Sequence, residues 1–243
     1  MSKTFTGVGA VNRYRQVFPG RHTILPVIHV DSLEQALRNT QIAREAGSDG
    51  VFLINHGMTD KALREVHREV ANSQPDWWIG VNCLGESPEQ TFMAVSNHVG
   101  GVWVDNAGIN ESQDTQPYAN RVSATWQTYA PDCLYFGGVA FKYQRSVADL
   151  ESACRLAGRY MDVVTTSGSG TGHAADTDKI RRMHVALNGT PLAIASGITP
   201  ENVGDYLPHA ESFLVATGIS KSFTELDPAR VRALVERVRA FAE

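Results

Sequence analysis

The feature that most constrains this chain is a regular alternation of short apolar runs with longer amphipathic stretches. Eight such runs occur, each four to seven residues long and each followed by small or polar residues. Continuous apolar runs are typical of parallel strands that are buried on both faces of a sheet. The runs are residues 24–30, 51–55, 77–82, 101–104, 133–139, 162–166, 191–195 and 212–217. The pattern predicts an α/β protein with a parallel sheet.

The stretches between the runs begin with residue types that start α-helices. Ser32 and Ser87 are each followed three residues later by a glutamine, and Thr199 precedes a proline. A hydroxyl at the N-cap and a proline in the first turn suit the amide groups that the first turn leaves free. The final stretch, 228–241, puts its apolar side chains on one helical stripe. Residues 107–131 are polar, and we expect an extended loop before or within the fourth helix.

Eight strand–helix units with no intervening linker predict a (β/α)8 TIM barrel. We assign residues 1–243 to one domain, with 1–23 as an N-terminal extension that covers the barrel. A length of 243 residues is ordinary for one such barrel. An open, doubly wound parallel sheet is the alternative, because a strand count made from one sequence can err by one or two.

Composition narrows the classes of protein and partner. A net charge of −4 and a pI near 6.1 argue against a nucleic-acid partner, which usually requires a basic surface. The three cysteines show no metal-ligand spacing, so we expect free thiols in a reducing compartment. No apolar run reaches the length of about 20 residues that spans a bilayer, and the N-terminus lacks the apolar core of a secretory signal. A cytoplasmic protein without a membrane partner is predicted.

In a TIM barrel the functional groups lie in the loops that follow the strands. We predict four catalytic residues at such positions: His56, Asn82, Asp105 and Lys142. His56 can exchange protons near neutral pH, and Asn82 can hydrogen-bond a substrate hydroxyl or base edge. Lys142 can neutralise a phosphate, form a Schiff base or orient an oxyanion, and a solvated loop lysine is the alternative.

Asp105 can act as a general base, bind Mg²⁺ or hold a ribose hydroxyl, and a simple turn with Asn106 is the alternative. No cofactor is required by this prediction, and Mg²⁺ is left open. Asp105 and Lys142 follow adjacent strands, so we expect their side chains to face one ligand across the barrel mouth. His29, inside a strand, is interpreted as a core histidine, and Cys83 as a small apolar residue.

Three glycine-rich segments follow the last three strands. Glycine lets backbone N–H groups approach an anion, hydroxyls add donors, and phosphate often binds after the seventh and eighth strands of this fold. The predicted phosphate-binding residues are Ser167, Gly168, Ser169, Gly170, Thr171, Gly172, Ser196, Gly197, Thr217 and Gly218. Tight turns alone are the alternative explanation of these glycines. We expect Gly197→Val to weaken ligand binding more than folding, provided that φ at Gly197 is negative.

The blocks GVNCLG, GVWVDNAG, FGGVAFKYQ, TSGSGTG, SGITPENV and VATGISK together resemble the BtpA family, the photosystem I biogenesis/SgcQ-like group. The resemblance covers nearly the whole chain from Ile24 onward and is most specific over residues 165–223. It implies a barrel of the ribulose-phosphate-binding group and a phosphosugar-type ligand. The chain departs from the family pattern at Tyr143, where histidine is expected, and at Asp105, where a neutral polar residue is expected.

These features predict an enzyme acting on a small phosphorylated metabolite, either a phosphorylated sugar or a phosphoribosyl compound. Isomerisation or aldol-type cleavage would use an acid/base pair such as Asp105 with His56 or Lys142. Glycosyl or phosphoribosyl transfer would use Asp105 to stabilise an electron-poor ribose carbon. The alternative from another class is a non-catalytic assembly or regulatory factor that retains a phosphate-binding barrel. A homo-oligomer is left open.

Overall fold

Eight parallel strands close into a barrel in which each strand pairs with the next and the last pairs with the first. A computed structural model of the protein describes residues 13–95 and 97–241. The strands are β1 (Thr23–Val30), β2 (Gly50–Asn55), β3 (Trp78–Asn82), β4 (Gly101–Val104), β5 (Leu134–Gly138), β6 (Val163–Thr166), β7 (Leu192–Ile194) and β8 (Ser212–Val215). The predicted TIM barrel is confirmed, and the pairing of β8 with β1 excludes the open sheet.

Helices occupy most of the connections. The described residues contain α1 (Arg13–Val17), α2 (Leu33–Glu45), α3 (Asp60–Ser73), α4 (Pro88–Ala94), α5 (Pro117–Tyr129), α6 (Leu150–Ala157), α7 (Thr177–Leu187) and α8 (Pro228–Arg239). Ser87 caps α4 in a full capping box with Gln90, as the sequence predicts. An irregular loop precedes α5, again as expected. None of the helices in 13–95 and 97–241 is long and apolar enough to cross a membrane.

The connection between β7 and β8 differs from the prediction. In place of an α-helix starting near Thr199, it contains only a 3₁₀ turn at Val203–Asp205. The Thr199 hydroxyl accepts from the backbone N–H of Asn202, and the Asn202 side chain in turn binds the backbone N–H of Thr199 and the carbonyl of Gly197. These local bonds compete with helical ones, and Pro208 follows within one turn of the segment.

The N-terminal end of the barrel interior is filled with aromatic rings. Phe52 and Phe136 are fully buried, with ring centroids 5.1 Å apart, and Trp78 lies 5.0 Å from Phe52. Tyr14 of α1 packs against Phe136, and Phe18, the residue that follows α1, packs against Trp78. Burying rings of this size removes a large apolar surface from water, so this end of the barrel is a closed core.

Part of the predicted N-terminal extension lies outside the described residues, namely 1–12. The described part begins with α1, whose Tyr14 hydroxyl donates to the Thr23 hydroxyl at the start of β1 at 2.7 Å and to the carbonyl of Glu211 just before β8 at 3.1 Å. These bonds hold α1 across the N-terminal opening of the barrel. A second apolar layer lies between the strands and the surrounding helices.

Candidate active site

A cavity of about 330 Å³ opens at the C-terminal end of the barrel, and we call it the mouth cavity. Its volume lies at the lower end of the range of roughly 300–1,000 Å³ that is usual for small-molecule sites. Residues after β2, β4, β5, β6, β7 and β8 all contribute to its lining. Nine predicted site residues line it: His56, Asp105, Lys142, Thr171, Gly172, Ser196, Gly197, Thr217 and Gly218.

Backbone donors from three loops are available at this cavity. Among the described residues, the N–H groups of Gly172, Gly197 and Gly218 donate to no acceptor in the protein. Each lies in a loop after a different strand, β6, β7 or β8. All three glycines line the mouth cavity, and free backbone N–H groups at such a site are suited to oxygen ligands, and anions above all.

The same glycines are also required by the backbone itself. Gly172 and Gly197 have φ values of +76° and +67°, where a side chain is strained. A Cβ on Gly197 would lie 2.3 Å from the backbone nitrogen of Ala174, and one on Gly218 would lie 1.9 Å from the carbonyl oxygen of Ile198. The condition of a negative φ at Gly197 is therefore wrong, and Gly197→Val would disturb folding as well as ligand binding.

The residues of the glycine-rich loop after β6 line two different cavities. Ser167, Gly168 and Ser169 line a separate, more open groove of about 640 Å³ on the outer side of Lys142, while only Thr171 and Gly172 reach the mouth cavity. Within the same loop, the carbonyl of Gly170 accepts from the Ser196 hydroxyl at 3.0 Å. Four of the ten predicted phosphate-binding residues, Ser167, Gly168, Ser169 and Gly170, are thus not among those that line the mouth cavity.

One of these residues, Ser167, positions the backbone of Lys142 instead. The Ser167 hydroxyl accepts from the backbone N–H of Lys142 at 2.8 Å. The half-buried Lys179 ammonium donates to the carbonyls of Ala140 and Ser167 at 2.7 and 2.8 Å, and so ties the loops after β5 and β6 together. Burial lowers the pKa of Lys179 to about 8. Both loops are therefore held in place by bonds within the protein.

Lys142 lies between two residues in the left-handed backbone region, Ala140 at φ +48° and Tyr143 at φ +61°. Each such conformation costs on the order of 1 kcal/mol for a residue other than glycine. The Lys142 ammonium lies 3.3 Å from the Thr171 hydroxyl, which belongs to one of the three glycine-rich loops. This strained segment brings a positive charge to the free amide groups, where it can neutralise an anion.

Asp105 faces the mouth cavity and is supported from behind by Asn82. The Asn82 amide is 1% exposed and donates to the Asp105 carboxylate at 3.0 Å. Burial raises the pKa of Asp105, and this hydrogen bond and the nearby charge of Lys142 partly offset the rise. Asn82 lines a neighbouring groove rather than the cavity, so the structure gives it a positioning role and not direct contact with a ligand in the cavity.

His29 lines the mouth cavity, which corrects its interpretation as a core histidine. Its ring stacks on that of His56, with centroids 4.8 Å apart, and its buried Nδ1 has no hydrogen-bond partner. Burial and the nearby His56 and Lys142 lower the pKa of His29 to about 4. The signal in the sequence is the alternation of β1, because Val27, two residues earlier, lines the same cavity.

Two further predictions concern Cys83 and a bound metal ion. Cys83 is buried, burial raises its pKa to about 12, and it lines the neighbouring groove, in agreement with its interpretation as a small apolar residue. The part of the chain that the structure describes holds no group of three or more His, Cys, Asp or Glu residues arranged to bind one metal ion. A Mg²⁺ ion at Asp105 stays a prediction.

Phe223 was missed by sequence analysis. It lies in the loop after β8, lines the mouth cavity and contacts both histidine rings. A single aromatic residue in a loop carries no periodic signal, so nothing in the sequence distinguishes it from other surface residues.

Comparison with solved structures agrees with the fold. (S)-3-O-geranylgeranylglyceryl phosphate synthase from Thermoplasma acidophilum, solved in complex with its substrate sn-glycerol-1-phosphate, superposes with a TM-score of 0.67. The superposition covers 95% of this chain and 98% of that one, at 14% sequence identity. At this identity the likeness concerns the fold alone.

Sequence relatives give two further matches. An uncharacterized protein of Thermococcus kodakarensis is 26% identical, over 84% of this chain and 85% of that protein. N-(5'-phosphoribosyl)anthranilate isomerase of Moorella thermoacetica is 34% identical over 101 residues, which are 40% of this chain and 44% of the enzyme. A family model, that of the BtpA family, matches residues 84–240, and this range holds Asp105, Lys142 and all three glycine-rich loops. The chain belongs to the BtpA family.

Proposed function

We propose that this protein is an enzyme that binds the phosphate group of a phosphorylated sugar or phosphoribosyl compound and moves a proton beside a carbonyl of that substrate. The observation that carries the proposal is that one cavity is lined both by Gly172, Gly197 and Gly218, whose N–H groups have no acceptor among the described residues, and by Asp105 and Lys142. The first set suits a phosphate, and the second supplies a base and a cation.

The phosphate half of the proposal depends on charge as well as on hydrogen bonding. The three N–H groups can each donate to a phosphate oxygen, and the Lys142 ammonium beside Thr171 adds a full positive charge. Hydroxyls of Thr171 and Thr217 line the same cavity and can add further donors. Binding of this kind requires no metal ion, and Mg²⁺ held by Asp105 is the alternative.

The proton-transfer half depends on Asp105. Burial raises the pKa of its carboxyl, which makes the carboxylate a stronger base than an exposed one. Asn82 fixes one carboxylate oxygen and leaves the other free for substrate. Lys142 can stabilise the oxyanion that forms when a proton leaves the neighbouring carbon. In phosphoribosyl transfer the same carboxylate would stabilise the electron-poor ribose carbon.

The relatives add support of a general kind. The isomerase from Moorella thermoacetica acts, by its name, on a phosphoribosyl compound, and the synthase from Thermoplasma acidophilum binds a phosphorylated substrate. Neither is similar enough to this chain, over enough of its length, to specify the reaction.

Calorimetric titration with inorganic phosphate tests the binding half. We expect Lys142→Met to weaken phosphate binding roughly tenfold, as loss of one charge-assisted hydrogen bond of about 1.5 kcal/mol would. Lys61→Met removes an exposed lysine of α3, which pairs only with Glu65, and serves as the matched control. Absence of phosphate binding to the parent protein, or equal binding by the Lys142 variant, would reject this half.

Exchange of substrate hydrogen with solvent deuterium tests the chemical half. A panel of pentose and triose phosphates is incubated in deuterated water and followed by NMR at the carbon beside the carbonyl. We expect deuterium to enter at least one of them with the parent protein and at least a hundredfold more slowly with Asp105→Asn, since general bases contribute roughly 10²–10⁴-fold. Binding of phosphate without any exchange would favour the non-catalytic assembly or regulatory factor.

A further inference from the structure

Three rings form one side of the mouth cavity, and we call them the aromatic rim: His29, His56 and Phe223. The two imidazoles stack with an interplanar angle of 23°. Phe223 lies at a steep angle to both, with ring centroids 4.2 Å from His29 and 5.2 Å from His56. All three residues line the same cavity as the phosphate-binding loops.

Phe223 is 62% exposed, although the loop that carries it is firmly attached. The fully buried Asn39 of α2 accepts from the backbone N–H of Leu226 at 2.7 Å and donates to the carbonyl of Thr224 at 3.2 Å. Buried Gln35 donates to the same carbonyl. Two buried amide side chains thus fix the backbone of this loop, while the Phe223 ring that the loop carries stays largely exposed. Aromatic side chains are common in the lining of small-molecule sites, and a fixed ring beside the mouth cavity is available for such a contact.

The imidazoles of the aromatic rim are neutral at physiological pH. Burial lowers the pKa of His29 to about 4, and it also lowers that of His56. The charged groups that face them are Asp105, which raises the pKa of His56, and Lys142, which lowers both. Neutral rings present apolar faces, and the buried Nδ1 of His29 has no partner among residues 13–95 and 97–241.

The aromatic rim is continuous with the proposed phosphate site. Gly218 and Phe223 belong to the same loop after β8, five residues apart. The lining of the same cavity also includes the apolar side chains of Val27, Ile54 and Leu214. A cavity of about 330 Å³ exceeds what a phosphate group alone would fill, so the remaining space adjoins rings and aliphatic side chains.

We propose that the natural substrate carries, besides its phosphate, a planar unsaturated ring that packs against Phe223 and the imidazoles of the aromatic rim. This inference rests on the proposed function, because it takes the phosphate site as one end of the ligand. Aromatic contacts of this kind contribute roughly 0.5–1.5 kcal/mol beyond area burial. The substrate class is thereby narrowed from phosphorylated sugars in general to phosphorylated compounds with an aromatic or heteroaromatic group.

Calorimetric titration with phenyl phosphate and with glycerol 1-phosphate tests this inference. The parent protein is expected to bind phenyl phosphate roughly five- to tenfold more tightly than glycerol 1-phosphate. Phe223→Ala is expected to reduce this preference to about twofold or less. The matched control is Tyr129→Ala, which removes a 57% exposed ring at the end of α5, and it should retain the full preference.

The outcomes separate the two proposals. If neither ester binds, the proposed phosphate site fails. If both bind the parent protein with equal affinity, the phosphate site stands and the ring site is overturned. If Phe223→Ala retains the preference for phenyl phosphate, the assignment of the ring to the aromatic rim is overturned. Thermal melting checks that Phe223→Ala is folded, which its exposed position leads us to expect.

Discussion

The two ends of the barrel are built by the same strands and have opposite properties. At the N-terminal end, β2 and β5 contribute Phe52 and Phe136, which are completely buried among other rings. At the C-terminal end, the segments after β4 and β5 contribute Asp105 and Lys142, which face an open cavity. One end is closed by apolar packing, and the other is kept open with polar groups around it.

The difference shows where stability is gained and where it is given up. The aromatic end gains stability from burying large apolar surfaces, although the loops that lead into β3 and β7 also hold residues with positive φ, Asp76 and Asn188. The cavity end holds a carboxyl with a raised pKa, a histidine with a lowered pKa and two non-glycine residues with positive φ around Lys142. Each of these features lowers stability, and such costs are common at functional sites.

The largest expected effect tests the closed end. Phe136→Ala should lower the free energy of unfolding by about 3–5 kcal/mol, because it leaves a cavity among Tyr14, Phe52 and Trp78. Urea denaturation measures this loss. The phosphate affinity of the folded fraction should stay within about twofold, since the substitution lies at the far end of the barrel. A comparable loss of affinity would contradict the separation of the two ends.

An intermediate effect is expected at Gly197. Gly197→Ala should lower the free energy of unfolding by roughly 2–3 kcal/mol, because φ at this position is +67° and because a Cβ would lie too close to the backbone of Ala174. The affinity for phosphate should fall at least tenfold. Gly189→Ala is the matched control near the opposite end, where φ is +98° and a Cβ would meet nothing within 4 Å. It should lose about 1–2 kcal/mol and no affinity. Equal behaviour of the two variants in both measurements would mean that Gly197 matters only as a turn.

The smallest expected effect concerns the pH dependence of stability. Burial raises the pKa of Asp105 in the folded protein, so the folded state binds more protons than the unfolded state, and stability falls as pH rises above the ordinary carboxyl pKa of about 3.9. Asp105→Asn removes this loss and should be more stable than the parent at pH 7 by less than about 1 kcal/mol, because the carboxylate is partly solvated. The gain should disappear below about pH 3.9.

Urea unfolding at several pH values provides the measurement, and Asp31→Asn, at an exposed position beyond β1, is the control. A variant at Asp105 that is less stable than the parent at pH 7 would show that the carboxylate supports the fold. The cavity end would then resemble the closed end in this respect.

Much of the fold was predictable because its cause is local. The eight strands agree with the predicted apolar runs to within two residues at each end, because strands buried on both faces of a sheet are rich in apolar residues. Once the strands are placed, Asp105 and Lys142 fall at strand ends without further information, and both line the mouth cavity. The missing helix after β7 was not predictable from the Thr199 and Pro200 signal, because the side-chain bonds of Asn202 to Thr199 and Gly197 compete with it.

The details of the site depend on contacts between distant parts of the chain. Ser167 was grouped with the phosphate-binding residues because it begins a glycine-rich run, yet its hydroxyl binds the backbone of Lys142, 25 residues earlier. Asn82 was considered a substrate contact, yet it supports Asp105, 23 residues later. Neither pairing leaves a pattern in the local sequence, so the path of each loop had to be observed.

The bonds of Lys179 to Ala140 and Ser167 have a consequence for how fast a ligand can bind. Both bonds join groups of the protein itself, so the loops after β5 and β6 are positioned by contacts that a substrate does not have to supply. Ordering a loop on association costs affinity and slows the encounter. Loops that are already held in position avoid that cost. Ligand association should therefore proceed in a single kinetic phase, and differences in affinity between ligands should arise in their dissociation rates.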